Sequence, residues 1–74
     1  MILSATSVSA SVVDDAKASI NAAQTPQDYQ AVLTKLQNEL KRKPKPNTAI
    51  DLKYWAGVAC FHLDRYDEAA EYFE

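Results

Sequence analysis

The sequence predicts an all-α fold built from antiparallel helix pairs, and three observations support this prediction. The 74 residues include one glycine and three prolines, with no Asn-Gly or Asp-Gly pair of the kind that marks a β-hairpin. Apolar residues recur at helical spacing along most of the chain. Residues 52–74 have the pattern of two short helices separated by a tight polar turn at Asp64-Arg65.

The composition limits what can hold such a small fold together. A chain this short forms at most one small domain and buries only about 60% of its unfolded surface. Its one cysteine cannot form an internal disulfide, and one cysteine with one histidine cannot build a structural zinc site. We therefore expect helix packing or a protein partner to stabilise the chain, without metal or cofactor.

The first predicted helix covers residues 12–23. Ser11 is a suitable N-cap, and the helix then carries an apolar face of Val13, Ala16, Ile20 and Ala23. Residues 1–11 are serine-rich and lack the basic start of a secretory signal and the arginines of a mitochondrial presequence. We expect these eleven residues to form a flexible leader.

The second predicted helix has the clearest start signal. Thr25 can cap it, Pro26 suits its first position, and Asp28 falls at its third. An amphipathic stripe follows, formed by Tyr29, Val32, Leu33, Leu36 and Leu40. Pro44 and Pro46 end the helix because proline lacks the backbone donor.

The third predicted helix runs from about residue 49 to residue 63, with Asn47 or Thr48 as its N-cap. It is apolar on most sides, so we expect neighbours on more than one side. Gly57 in its middle costs about 1 kcal/mol relative to alanine. That cost predicts close approach of another helix at Gly57. A fourth helix begins near Asp67.

The two halves of the chain repeat each other. An offset of 37 residues superimposes three pairs of positions, which are Tyr29 on Tyr66, Val32 on Ala69 and Leu36 on Phe73. Periods of this length are typical of helical solenoids. Each copy consists of a helix, a turn and a helix.

These positions resemble the tetratricopeptide repeat (TPR), a unit of about 34 residues. The resemblance is carried by Tyr29, Val32, Leu36 and Pro44 in the first copy and by Gly57, Tyr66, Ala69 and Phe73 in the second. It implies a short right-handed α-solenoid of about two units, in which these residues, apart from Pro44, pack the repeats. Residues 12–46 would form a degenerate TPR-like pair and residues 47–74 a second, C-terminally incomplete pair. We expect either a longer parent solenoid or dimerisation through the open end near Phe73.

Residues that could suggest chemistry have simpler interpretations. His62 lacks a triad arrangement and is expected to be a partly exposed residue at a helix end, and Cys60 a small core residue. A single glycine excludes a glycine-rich phosphate loop. The basic residues Lys41, Arg42, Lys43 and Lys45 suit a solvated helix C-terminus better than a nucleic-acid site. We expect no catalytic residues and no enzymatic activity.

The resemblance implies a scaffold or adaptor that acts through protein–protein contacts. Residues 51–74 are similar to the first clear repeat of the TPR subunit of the intraflagellar-transport B complex. That similarity is carried by Trp55, Gly57, Phe61-His62-Leu63, Tyr66 and Ala69. It implies an intracellular protein, cytoplasmic or ciliary, and a single free cysteine is typical of such a reducing compartment.

Two other TPR functions stay open. In co-chaperones, helix side chains clamp a C-terminal carboxylate, and Lys17 and Asn21 fall at two of the clamp positions, while Trp55 replaces the asparagine of the third. A mitochondrial-fission adaptor would need a C-terminal membrane anchor, and no run in the chain approaches the about 20 apolar residues that spanning requires.

The partner-binding face is expected on the first helix of each pair. Its predicted members are Lys17, Asn21, Tyr54, Val58 and Phe61. Tyr54 and Phe61 are the predicted anchors because aromatic residues dominate interface energetics. The alternative is that both pack on the next helix of a stack. Expected partners are other proteins or a second copy of the chain, and neither nucleic acid nor membrane.

Overall fold

The computed structural model describes residues 8–74, which form four α-helices. These are α1 (Val8–Ala22), α2 (Pro26–Lys41), α3 (Pro46–His62) and α4 (Tyr66–Phe73). The connections are only a few residues long, so successive helices run antiparallel. The predicted all-α fold is confirmed for this part of the chain.

Helix α3 occupies the centre of the fold. It packs against α1, α2 and α4, while α1 also packs against α2. Helices α2 and α4 meet at their edges, where the Gln37 side-chain amide donates a hydrogen bond to the Tyr72 hydroxyl at 3.2 Å. The molecule is flat, with extents of 41 × 26 × 15 Å. A central helix with neighbours on several sides agrees with the apolar composition of α3.

The core lies between α3 and its neighbours. Leu33, Leu36, Leu52 and Cys60 are its largest fully buried side chains. The other buried hydrophobic residues are Ala16, Ile20, Val32, Ala56, Ala59 and Ala69. The small residues of α3 let three helices approach it closely. No buried side-chain polar atom of the described residues lacks a hydrogen-bond partner.

Helix α2 begins as predicted. The Asp28 backbone N–H donates to the Thr25 hydroxyl at 3.2 Å, and the Thr25 backbone N–H donates to the Asp28 carboxylate at 3.3 Å. Pro26 occupies the first turn. This reciprocal capping box satisfies two backbone donors that would otherwise lack intrahelical partners.

The predicted start of α1 is wrong. The helix begins at Val8, so Ser11 lies inside it and cannot be its N-cap, and residues 8–11 do not belong to a leader. Serine costs only a fraction of a kcal/mol in a helix interior, and Val12 and Val13 pack against the core just after it. A serine that could cap a helix therefore does not by itself mark where the helix begins. Residues 1–7 of the predicted leader lie outside the described residues.

The predicted start of α3 is also wrong. The helix begins at Pro46, and its N-cap is Lys45, which makes no side-chain capping hydrogen bond. Neither Asn47 nor Thr48 caps it. Proline fits the first helical position because its missing N–H has no intrahelical acceptor there. It also holds Lys45 extended, with φ −60° and ψ 152°.

The predicted polar turn between α3 and α4 is confirmed, and its hydrogen bonds orient the two helices. The Arg65 backbone N–H donates to the Cys60 carbonyl at 2.9 Å, and that of Asp64 donates to the Phe61 carbonyl at 3.1 Å. This is a Schellman motif with Asp64 in place of the usual glycine, at φ 62°. Helix α4 therefore starts at Tyr66, directly beside Phe61.

Candidate protein-binding surface

Large exposed hydrophobic side chains of the described residues are confined to α3 and α4. Their exposed fractions are Ile50 64%, Tyr54 52%, Phe61 56%, Tyr66 56% and Phe73 51%. We call these five residues the aromatic face. Single exposed apolar residues are common, but a group of them on one side of a molecule indicates a site of interaction.

One stripe of α3 supplies three residues of this face. Ile50, Tyr54 and Phe61 are separated by four and seven residues, which places them on the same side of the helix. Val58 lies on the same stripe and is half-buried. The predicted anchors Tyr54 and Phe61 are therefore available to a partner.

Helix α4 pairs with this stripe at both ends. The Tyr54 and Phe73 rings are 5.9 Å apart, and the Phe61 and Tyr66 rings are 5.4 Å apart and edge-on. Trp55 meets Tyr54 edge-on at 5.0 Å. The geometry of these pairs is the favourable tilted or T-shaped one. The aromatic face is thus a joint surface of two helices.

Gly57 is required by this arrangement. A Cβ atom added at Gly57 would lie 2.5 Å from Cε1 of Phe73. The close approach predicted at Gly57 is confirmed, and the approaching group is an aromatic ring of α4. The absence of a side chain at residue 57 therefore lets Phe73 lie against α3.

A groove opens between the first half of α3 and the end of α4. Its volume is about 230 Å³, and its lining residues are Ile50, Lys53, Tyr54, Tyr72, Phe73 and Glu74. The lining is largely apolar and carries one residue of each charge. Such a groove suits an apolar side chain of a partner.

The surroundings of the aromatic face are acidic. Residues 50–74 contain six carboxylate side chains and two basic ones. Asp67, Glu71 and Glu74 follow one another at helical spacing along α4 and are all exposed. Arg65 forms a weak ion pair with Glu68 at 3.9 Å. An acidic start also stabilises α4 through the helix dipole.

Lys17 and Asn21 are exposed on α1, one turn apart. No hydrogen bond, ion pair or aromatic contact within residues 8–74 joins either of them to the aromatic face. Their assignment to the partner-binding face stays a prediction.

The residues assigned to repeat packing divide into two groups. Val32, Leu36, Gly57 and Ala69 are buried, as packing requires. Tyr29 is half-buried and stacks on His62, with ring centroids 4.5 Å apart and planes 10° apart. Tyr66 and Phe73 pack only with part of their rings and leave more than half of their surface exposed. They therefore belong to the aromatic face as well as to the α3–α4 contact.

Cys60 and His62 occupy the positions expected from the sequence. Cys60 is fully buried, and this desolvation, followed by the nearby Glu68 carboxylate, raises the pKa of its thiol. A buried thiol of raised pKa is a poor nucleophile. His62 is the exposed last residue of α3. Within residues 8–74 no three histidine, cysteine or acidic side chains are grouped closely enough to hold a metal ion.

The sequence pattern did not single out Ile50 for this surface. The signal was present, since Ile50 precedes Tyr54 by four residues and so shares its side of α3. Because α3 is apolar on most sides, periodicity alone does not tell which side stays open.

The chain was compared with known proteins. No model of a known protein family matches it, and neither a curated protein nor a solved structure is significantly similar to it. Across residues 8–74, none of the helices combines the length and apolar character needed to cross a membrane. The comparisons neither support nor contradict the TPR resemblance.

Proposed function

We propose that the protein is an interaction scaffold or adaptor that binds a segment of another protein on the aromatic face. The observation that supports this function is the exposure of five large hydrophobic side chains on one helix pair. Burying such a side chain contributes about 1.5–3 kcal/mol. Tyrosine and other aromatic residues are also the usual energetic centres of interfaces.

The TPR assignment is the finer part of this proposal. It is supported by four antiparallel helices in succession, by the packing of α3 on α1, α2 and α4, and by small residues at Gly57 and Ala69. The intraflagellar-transport resemblance stays a prediction within it. The co-chaperone and mitochondrial-fission alternatives stay predictions too, and no contact of Lys17 or Asn21 favours the first of them.

Peptide display tests the proposed function. Proteome-derived peptides displayed on phage are selected against the immobilised full chain. The selected peptides are then measured by fluorescence polarisation against the wild type and the double variant Tyr54→Ser/Phe61→Ser. We expect the variant to bind at least about tenfold more weakly because both apolar anchors are lost.

The matched control is Ala31→Ser/Lys35→Ser, which changes two exposed residues one turn apart on α2. It should bind the peptides as the wild type does, and circular dichroism should show the same helicity for all three proteins. Failure to select any peptide, or equal binding by the Tyr54→Ser/Phe61→Ser variant, would contradict the proposal.

A further inference from the structure

We infer that the occupant of the aromatic face is an amphipathic helix of a partner protein, with basic residues flanking its apolar side. This inference rests on the proposed function and specifies the chemistry of the partner. The charges beside the face, the shape of its centre and the hydrogen bonding of its backbone point to this occupant.

The charges beside the aromatic face favour a basic partner. Asp67, Glu71 and Glu74 form a stripe along α4, which lies about 100° around the helix from the apolar stripe of Tyr66, Ala70 and Phe73 and so flanks it. None of these three carboxylates takes part in an ion pair within residues 8–74. Lys53 and Glu74 both line the groove and offset each other there. The net field over the face is therefore negative and attracts lysine and arginine side chains.

The shape of the aromatic face favours a helical partner. Two aromatic pairs, Tyr54–Phe73 and Phe61–Tyr66, lie at the two ends of the face. Small or half-buried residues lie between them, namely Val58 and Ala70. Ile50 and Phe61 are eleven residues apart, which spans about 16 Å along α3. A helix of about three turns matches this length and can place its own side chains between the aromatic pairs.

The backbone of α3 and α4 excludes attachment by strand addition. Both segments are helical along their length, so their amide groups are largely engaged in intrahelical hydrogen bonds. Addition of an extended peptide strand needs a free sheet edge, and the described residues form only helices. Contact must therefore be made by side chains, as in helix-in-groove recognition.

Charge also disfavours a second copy as the occupant. In a two-fold dimer the same surface faces itself. When the two-fold axis runs across the helices, the acidic stripes of Asp67, Glu71 and Glu74 face each other, and like charges across an interface are destabilising. A basic helix removes this repulsion and replaces it with attraction.

The test uses four synthetic, fluorescein-labelled peptides and the full chain. The first is an amphipathic helix with leucines on one side and lysines on both flanks. In the second every lysine is replaced by glutamate, in the third the first sequence is scrambled, and in the fourth a central proline breaks the helix. Fluorescence polarisation measures their affinities. We expect the lysine helix to bind at least about tenfold tighter than the other three, with a preference over the glutamate helix that shrinks as salt is raised.

Paired charge-reversal variants locate the effect. Asp67→Lys/Glu71→Lys should remove the preference for the lysine helix over the glutamate helix. Asp14→Lys/Asp15→Lys makes the same change on exposed residues of α1 and should keep the preference. Tyr54→Ser, added to the wild type or to either charge-reversal variant, should weaken binding of the lysine helix.

The outcomes separate this inference from the proposed function. If peptide display yields ligands of the aromatic face but the four synthetic peptides bind equally, the basic-helix inference is wrong and the proposed function stands. Equal binding of the helical and proline-containing peptides would assign the face to an extended segment. A concentration-dependent increase in mass by light scattering, abolished by Tyr54→Ser, would assign it to a second copy. Either result overturns the inference.

Discussion

The two helix pairs bury their large apolar side chains to different extents. Ile20 of α1 and Leu33 and Leu36 of α2 are buried, and Tyr29 and Leu40 pack against the core at its margin. In the second pair, α3 and α4 carry all five of the large hydrophobic residues that are exposed in the part of the chain whose side chains are described. The difference has a simple cause. The apolar side chains of α2 form one stripe, which its neighbours cover, whereas α3 is apolar on more sides than its three neighbours can cover.

Helices α2 and α3, one from each pair, also begin in different ways. Helix α2 starts with the reciprocal hydrogen bonds of Thr25 and Asp28. Helix α3 starts at Pro46 with no side-chain cap. The start of α3 therefore depends more on packing and less on local hydrogen bonds than the start of α2.

The largest expected effect comes from the core. Leu33→Ala should lower the free energy of unfolding by about 2–5 kcal/mol, because it opens a cavity at a fully buried position. Phe61→Ser, at a position more than half exposed, should change it by about 0.5 kcal/mol or less. Urea denaturation followed by circular dichroism measures both. A loss from Phe61→Ser as large as that from Leu33→Ala would mean that the outer stripe of α3 belongs to the core.

The second prediction concerns the contact between Gly57 and Phe73. In the wild type, Gly57→Ala places a methyl group where the Phe73 ring lies, so the ring must move. In a Phe73→Ala background that obstacle is gone, and Gly57→Ala should stabilise the helix by about 1 kcal/mol. A double-mutant cycle of unfolding free energies should give a coupling energy of about 1 kcal/mol or more. Equal effects in the two backgrounds would show that the ring does not occupy this space.

The third prediction compares the two helix starts. Thr25→Ala should lower the free energy of unfolding by about 1 kcal/mol, because it removes the acceptor for the Asp28 N–H. Lys45→Asp should raise it by about 0.5–1 kcal/mol, since it supplies a cap that α3 lacks. Asn47→Ala is the control and should change it by less than about 0.5 kcal/mol. Thermal unfolding at one pH measures all three variants. The prediction is decided by whether Lys45→Asp stabilises the fold.

The smallest expected effect is on pH dependence. The Gln24 backbone N–H donates to the Asp28 carboxylate at 3.1 Å and, together with Thr25, holds the pKa of Asp28 below its ordinary value of 3.8. A carboxyl whose pKa is lower when folded stabilises the fold above its unfolded pKa, and this contribution is lost as pH falls through the folded pKa. Wild-type stability should therefore fall more steeply than that of Asp28→Asn between about pH 5 and about pH 2.

The control for this measurement is Asp15→Asn on α1, whose carboxylate makes no hydrogen bond or ion pair with the side chains described for residues 12–74. It should keep the wild-type pH profile in urea titrations. Identical profiles for the wild type and Asp28→Asn would show that the capping hydrogen bonds of Asp28 do not persist in solution.

Several features could be predicted because they depend on neighbouring residues. The start of α2 follows from Thr25, Pro26 and Asp28, whose hydrogen bonds span only three or four residues. The burial of Val32 and Leu36 follows from a one-sided stripe. The starts of α1 and α3 could not be predicted from capping residues. Helix α1 continues through the candidate cap Ser11 back to Val8, and Pro46 both ends the preceding loop and begins α3.

The candidate site was predictable only in part. Tyr54 and Phe61 could be proposed because they share one side of α3, but Tyr66 and Phe73 had an equally good assignment as packing residues. Whether such a residue is buried depends on the angle between α3 and α4, which the turn at Asp64-Arg65 sets.

Local patterns were thus enough to determine the helical class, the need for space at Gly57 and the amphipathic stripe of α2. Each of these depends on backbone hydrogen bonds or on periodicity within a single helix. Only the packing of the four helices decided which side of α3 stays open. When a helix is apolar on most of its sides, its sequence does not indicate where its neighbours will lie. Which of its side chains stay exposed depends on how all four helices pack.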